Sequence, residues 1–281
     1  MRLGLGLGLS RGAGGAAASL PGVLRAASPL NMVPTFAEAM NAGLDSFTLT
    51  MPHFIGSGDR KSLRALFNFW LLAVSGTSAT TAIGNNGTIQ GIWFQYNGVL
   101  VQGKFSGVNT LAWTDGDFDV STDAVVPSDF GASTFALGDQ VLIHVWGTTS
   151  VAAGKLPSNE FDNSRYVSGI TQRAFDSALV TPTIGLGGFT WSGATAGSVR
   201  KFIVNLVGEF VDGAAPDKET YMFTGDSMYH GSYDEQSGTP APRGVAFRFR
   251  EGTGSTNRKA GFVVARGGGL NVEGHLVTPS G

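Results

Sequence analysis

Cysteine is absent from the 281 residues, so disulfides and thiolate metal sites are excluded and the redox compartment is left open. Charge is scarce as well. Asp, Glu, Lys and Arg make up 14% of the chain, against roughly 25% in ordinary soluble domains. The 19 basic and 21 acidic residues leave a formal charge of −2, which gives no electrostatic case for nucleic acid. The four histidines, His53, His144, His230 and His275, are scattered, and no pair has the spacing of a zinc site on one helix. No uninterrupted apolar run approaches the ~20 residues needed to span a bilayer. Neither a metal, another cofactor nor membrane insertion is expected.

What the chain has in excess is glycine, 42 residues, about twice the usual share of roughly 7%. Many glycines with few charges fit a surface partly covered by neighbours in an assembly, and equally a plain β-protein with many tight turns. The first 27 residues combine one early arginine, an LGLGLGL repeat and a small-residue stretch, GGAAAS, which loosely imitates a secretion signal. Glycine at every second position from Gly4 to Gly8, and the interruption at Arg11, argue against one. Glycine loses the most backbone entropy on ordering, so such a segment needs something to hold it. Residues 1–30 are therefore read as a docking tail.

From residue 47 the pattern is β. The run FTLTM over 47–51 alternates and meets Pro52. Residues 89–105, IQGIWFQYNGVLVQGKF, place Asn97-Gly98 between two alternating apolar arms, the strongest short-range hairpin signal because both residues tolerate positive φ. Further strands are expected over 141–146, 179–184 and 199–210, separated by turn-rich stretches. Residues 61–73, KSLRALFNFWLLA, fit a helix by their 3.6 periodicity and a buried strand equally well. Short strands with regular turns predict a β-sandwich or jelly roll over residues 31–210. Residues 211–218, VDGAAPDK, read as a linker. Beyond them an apolar strand runs into Gly225-Asp226-Ser227, a helical stretch is expected from Gly244, and a second buried-type strand, GFVVA, leads through Arg266 into Gly267-Gly268-Gly269. Strand, turn, helix, strand is how an α/β domain begins.

The segment YMFTGDSMYHG resembles the first conserved block of the SGNH (GDSL-type) hydrolases. Ser227 stands where that family keeps its nucleophile and Gly231 where it keeps a following glycine. The resemblance covers residues 219–281. A serine at a tight strand-to-helix turn is exposed at the carboxyl edge of the sheet, and its own N–H helps bind the oxyanion. Gly225 and Gly231 keep side chains away from the substrate carbonyl, and Asp226 braces the turn. The family's second block puts a glycine N–H in the oxyanion hole, and FVVARGGGLN offers Gly267, Gly268 or Gly269, of which Gly267 is carried over. The family's Gly-x-Asn-Asp block and its closing Asp-x-x-His are absent. His275 has Val272 three residues before it, and His230 reads as a loop residue. A serine without a base is a poor nucleophile, so the 281 residues alone are expected to be inactive. The stop at TPSG, inside an α/β unit, implies either that the base lies in sequence beyond Gly281 or that the segment is a degenerate remnant.

The opening MRLGLGLGLS and the stretch VVPSDFGASTFALGDQVLIHVWG resemble prophage-encoded proteins that join a Leu/Gly-rich N-terminus, a Gly-rich β-sandwich and an SGNH domain. That resemblance implies a homo-oligomeric virion protein, such as a tail fibre, baseplate or capsid appendage. It would contact other virion proteins through residues 1–30, and its esterase would deacylate host surface polysaccharide outside the cell. The alternative is a glycan-binding structural module whose α/β segment is vestigial.

Three further features have competing readings. Asp115, Asp117, Asp119 and Asp123 suggest calcium, yet the EF-hand glycine and glutamate positions hold Val120 and Val126, so a solvated Asp-rich turn is the preferred reading. Trp93, Phe94 and Tyr96 suggest a sugar platform, although alternation puts Trp93 on the opposite face from the other two. Asn86-Gly87-Thr88 fits a glycosylation sequon and is read as a turn.

Overall fold

The computed structural model describes residues 24–29, 31–34, 36–72, 80–159, 173–177, 181–190, 195–196, 201–211, 221–225 and 260–265. Among these residues the fold is mainly β, without an α-helix. Its one helical turn is the 3-10 segment Pro127–Phe130. No helix among them is long and apolar enough to cross a membrane.

The larger sheet runs β10 (Leu111–Trp113), β8 (Gly87–Tyr96), β12 (Gln140–Thr149), β4 (Ser46–Phe54), β14 (Arg173–Ser177) and β17 (Thr195–Ala196), with β9 (Val99–Gly103) also paired to β8. The second runs β1 (Arg25–Ala26), β19 (Val204–Phe210), β5 (Arg60–Phe67) and β11 (Val120–Ser121). All of these pairings are antiparallel. One apolar core lies between the two sheets: Leu49, Met51, Phe94 and Ile143 from the first meet Leu63, Phe67 and Leu206 from the second. His53 bridges the layers, its Nε2 hydrogen-bonding the Val204 carbonyl at 3.0 Å. This is the expected sandwich architecture.

Smaller sheets close its margins. They are β18 (Lys201–Phe202) with β13 (Lys155–Asn159) and β3 (Phe36–Ala39), and β6 (Leu71–Leu72) with β7 (Thr80–Thr81). A hairpin of β15 (Thr183–Gly185) and β16 (Gly188–Thr190) lies over the outer face of the larger sheet. A parallel sheet is built from β2 (Asn31–Met32), β21 (Gly261–Ala265) and β20 (Tyr221–Gly225).

The local chemistry accounts for these elements. Asn97 and Gly98 have φ of 49° and 75°, the positive pair of a type I′ turn, and Tyr96 faces Val99 across the hairpin. Of residues 61–73, those up to Phe67 form β5 and Leu71–Leu72 form β6, residue 73 lying outside the described ones: Leu63, Ala65 and Phe67 are fully buried while Arg64 and Leu66 are part-exposed, so period 2 prevails over 3.6. The strand expected over 179–184 is met at its end, where β15 begins at Thr183, and that expected over 199–210 divides into β18 and β19. The helix expected from Gly244 lies outside the described residues.

Arg60 is the least expected member of the interior. It is fully buried, and its guanidinium donates to the carbonyls of Ala26 at 2.8 Å, Gly56 at 2.9 Å and Gly208 at 3.4 Å. It also lies 3.6 Å from the centre of the Phe210 ring, beside the register shift between Glu209 and Phe210. Burial lowers its pKa to about 9, with nearby Arg25 a lesser cause, which leaves it charged at neutral pH. Among the described residues, carbonyl dipoles and an aromatic face, rather than a carboxylate, hold the cation.

Candidate functional site

Of the residues assigned to an esterase site, Gly225 is described and closes β20. Asp226, Ser227, Gly231 and Gly267 lie outside the described residues, as do His230 and His275. What the structure describes is the frame that leads to them.

In that frame Tyr221 stands opposite Gly261 and Gly225 opposite Ala265, in parallel register. The two strands end level. The chain then continues into Asp226-Ser227 from one and into Arg266-Gly267 from the other. Every other described pairing, apart from that of β2 to β21, is antiparallel. A parallel neighbour requires a crossover of a dozen or more residues, and residues 226–260 provide 35.

Two polar contacts seat this frame on the sandwich. The Asn31 side chain, at the start of β2, donates from Nδ2 to the Leu206 carbonyl at 2.8 Å and accepts the Leu206 N–H at 2.7 Å. The Ser57 hydroxyl oxygen accepts the Ala260 N–H at 2.8 Å, and the Ala260 carbonyl accepts from the Tyr221 N–H at 3.0 Å. Ser57 adopts φ of 61°, a left-handed conformation uncommon for serine. Strand β1, which precedes β2, pairs with β19, so residues 25–32 belong to both parts of the molecule.

The Asp-rich loop is a set of turn braces. The carboxylate of Asp115 accepts the N–H groups of Ile83 and Gly84 at 2.6 and 2.8 Å, that of Asp123 accepts those of Ser106 and Gly107 at 3.1 and 2.7 Å, and Asp117 accepts from Thr114 at 2.7 Å. Burial raises the pKa of Asp119. Among the described residues no group of three or more His, Asp or Glu side chains is arranged to hold a metal ion. Asn86 accepts the Asp115 N–H at 2.9 Å as part of the same loop.

Phe94 and Tyr96 are buried in the sandwich core. Trp93 is on the other face, where Phe189 of β16 meets it edge-on at 5.5 Å. The three therefore share no platform. Among the described residues the exposed large aromatic is Phe118, 52% exposed and stacked on Trp70 at 5.1 Å.

One polar cluster was not singled out from sequence. On the outer face of the larger sheet His144 lies fully buried between Thr50 and Gln95. Its Nδ1 is 2.9 Å from the Thr50 hydroxyl and its Nε2 is 3.0 Å from Gln95 Oε1. The available signal was parity: in VLIHVW, His144 shares a face with Leu142 and Trp146, opposite to core residues Val141, Ile143 and Val145. Burial lowers its pKa to about 4 and that of His53 to about 3. Both rings are neutral at neutral pH.

No family model matches the chain, and no curated protein matches it.

Proposed function

We propose that residues 219–281 open an SGNH-type serine esterase unit carried by the β-sandwich, with Ser227 as nucleophile. The observation that supports this reading most directly is the parallel, level pairing of β20 with β21, found where the sequence places Gly225-Asp226-Ser227. In open α/β sheets the reacting groups gather at the carboxyl ends of parallel strands. In the proposed reaction the Ser227 hydroxyl attacks the ester carbonyl, and the N–H groups of Ser227 and Gly267 receive the negative charge that develops on its oxygen. The alcohol leaves, and water then hydrolyses the acyl-serine. A histidine base is required. His53 and His144 are buried in the sandwich, so neither serves that role here. The sandwich would attach this unit to a phage particle as a homo-oligomeric virion protein, through the part of residues 1–30 that precedes β1, since Arg25–Ala26 pair with the protein's own β19, and the substrate would be acylated host surface polysaccharide. This setting rests on the sequence resemblance.

The test uses the polypeptide as its source makes it. Its intact mass is measured first, then hydrolysis of p-nitrophenyl acetate by the native protein and by Ser227→Ala. Loss of hydrolysis on substitution supports the proposal, and hydrolysis that survives Ser227→Ala overturns it. A second reading, a glycan-binding module with an inactive α/β segment, is favoured by the exposed Phe118. It expects polysaccharide binding that Phe118→Ala abolishes and Ser227→Ala leaves intact.

A further inference from the structure

The outer face of the larger sheet carries a row in which Trp93, His144 and Thr50 stand side by side across β8, β12 and β4, and Arg173 of β14 is the register partner of Thr50. The β15–β16 hairpin covers its middle. The Gly187 N–H donates to Gln95 Oε1 at 2.9 Å, and Phe189 stands edge-on to both Trp93 at 5.5 Å and His144 at 6.4 Å. Gly188 approaches so closely that a Cβ there would lie 2.6 Å from the Thr50 hydroxyl oxygen.

These contacts fix the state of the imidazole. A backbone N–H only donates, so the Gln95 atom it meets is the amide oxygen. The same oxygen faces His144 Nε2, so Nε2 carries a proton. Nδ1 is then the acceptor for the Thr50 hydroxyl. The whole chain of bonds requires a neutral ring in this one tautomer. A second proton would sit on Nδ1, turn Thr50 from donor to acceptor and create a buried cation. Among the described residues no carboxylate answers it: β4, β8, β12, β15 and β16 present no charged residue, their one other titratable side chain besides Tyr96 and His144 being His53, which faces the opposite sheet, and on β14 Asp176 stands opposite Phe47, three positions from the row. Tyr96 lies on the core side. On β14 the residue opposite Thr50 is Arg173, itself a cation.

We propose that the hairpin Thr183–Gly185/Gly188–Thr190 is an acid-released flap, latched over the sheet by neutral His144 and its bonds to Thr50 and Gln95. The hairpin is the element able to yield. Thr183, Gly185, Leu186, Gly187 and Thr190 are exposed, whereas the opposite face of the sheet is the sandwich core. Lifting the flap admits water to the ring and uncovers Trp93 and Phe189. Burial supports this direction, since it lowers the pKa of the covered His144 ring from the ordinary 6.5 to about 4. By linkage the open population therefore rises as pH falls through 6.5 and levels off below 4, about 30-fold by pH 5 and about 300-fold at the limit.

Hydrogen exchange of the intact chain at pH 7.5 and pH 5, corrected for intrinsic rates, tests this. The Gly187 amide should lose protection by about 30-fold in the native protein, and that dependence should vanish in His144→Gln. Unchanged protection in the native protein, or the same pH dependence in His144→Gln, overturns the proposal. Should His144→Gln fail to fold, the His144 ring is titrated by NMR in the native protein and in Phe189→Ala. Uncovering the ring should move its midpoint up toward 6.5, and identical midpoints overturn the proposal.

Discussion

Asn31 and Leu206, 175 positions apart, are joined by two hydrogen bonds in which the Asn31 amide side chain both donates to and accepts from the Leu206 backbone. The side chain pairs with β19 much as another strand would, while its own backbone pairs with Phe262 of β21. One residue thus serves two sheets. Removing the amide leaves the buried Leu206 N–H without this partner, at about 1–3 kcal/mol, while the Leu206 carbonyl keeps the Ala27 N–H at 2.9 Å. Asn31→Ala is expected to lower stability by about 1–3 kcal/mol, read as a lower urea midpoint at unchanged slope.

Arg60 gives a second prediction. Three carbonyls converge on its guanidinium, and Arg60→Met would strip all three while leaving them buried. A loss of about 2–4 kcal/mol is expected. Arg60→Lys should recover only part of it, because an ammonium cannot reproduce the fork. Thermal unfolding of the three proteins gives the order native, Lys, Met.

The sandwich should be acid-labile through His53 as well as His144. Burial lowers the pKa of His53 from 6.5 to about 3, so between those values the unfolded chain binds the proton that the folded chain refuses. Stability is then fully present above pH 6.5 and falls as the pH drops toward 3. Denaturant titrations at pH 7, 5 and 4 should show a falling midpoint. The fall should be shallower in His53→Asn, whatever that substitution does to stability at pH 7.

The β8–β9 turn should resist substitution for reasons of backbone geometry alone. Gly98 has φ of 75°, and a side chain there would meet nothing within 4 Å. Gly98→Ala is therefore a test of conformation without a clash. It should cost about 1 kcal/mol, measurable as a shift in melting temperature.

Much of this architecture is legible in the sequence because its chemistry is local. Asn97-Gly98 specifies a turn wherever it falls between alternating arms, and YMFTG followed 35 residues later by GFVVA announces two apolar strands, which pair in parallel. The illegible parts depend on distant neighbours. In FTLTM alternation separates Thr48 and Thr50 from the core side chains, yet both threonines are buried because β4 is central in its sheet and covered on its outer side. Residues 61–73 carried both periods, and only the core contacts of Leu63, Ala65 and Phe67 decide between them. Strand β2 has two residues, too few for any period. For the proposed esterase site, the residues come from the sequence alone, and the described strands β20 and β21 stop just ahead of them.

The segment 25–32 has a consequence for how the protein is made. Strand β1 has no partner until residues 204–210 exist, and β2 has none until residues 261–265 exist. At ribosomal speeds of about 5–20 residues per second, the beginning of the chain waits roughly ten to fifty seconds for its β-partners. A chaperone that binds this segment of the nascent chain within that interval competes directly with the pairing of β1 and β2.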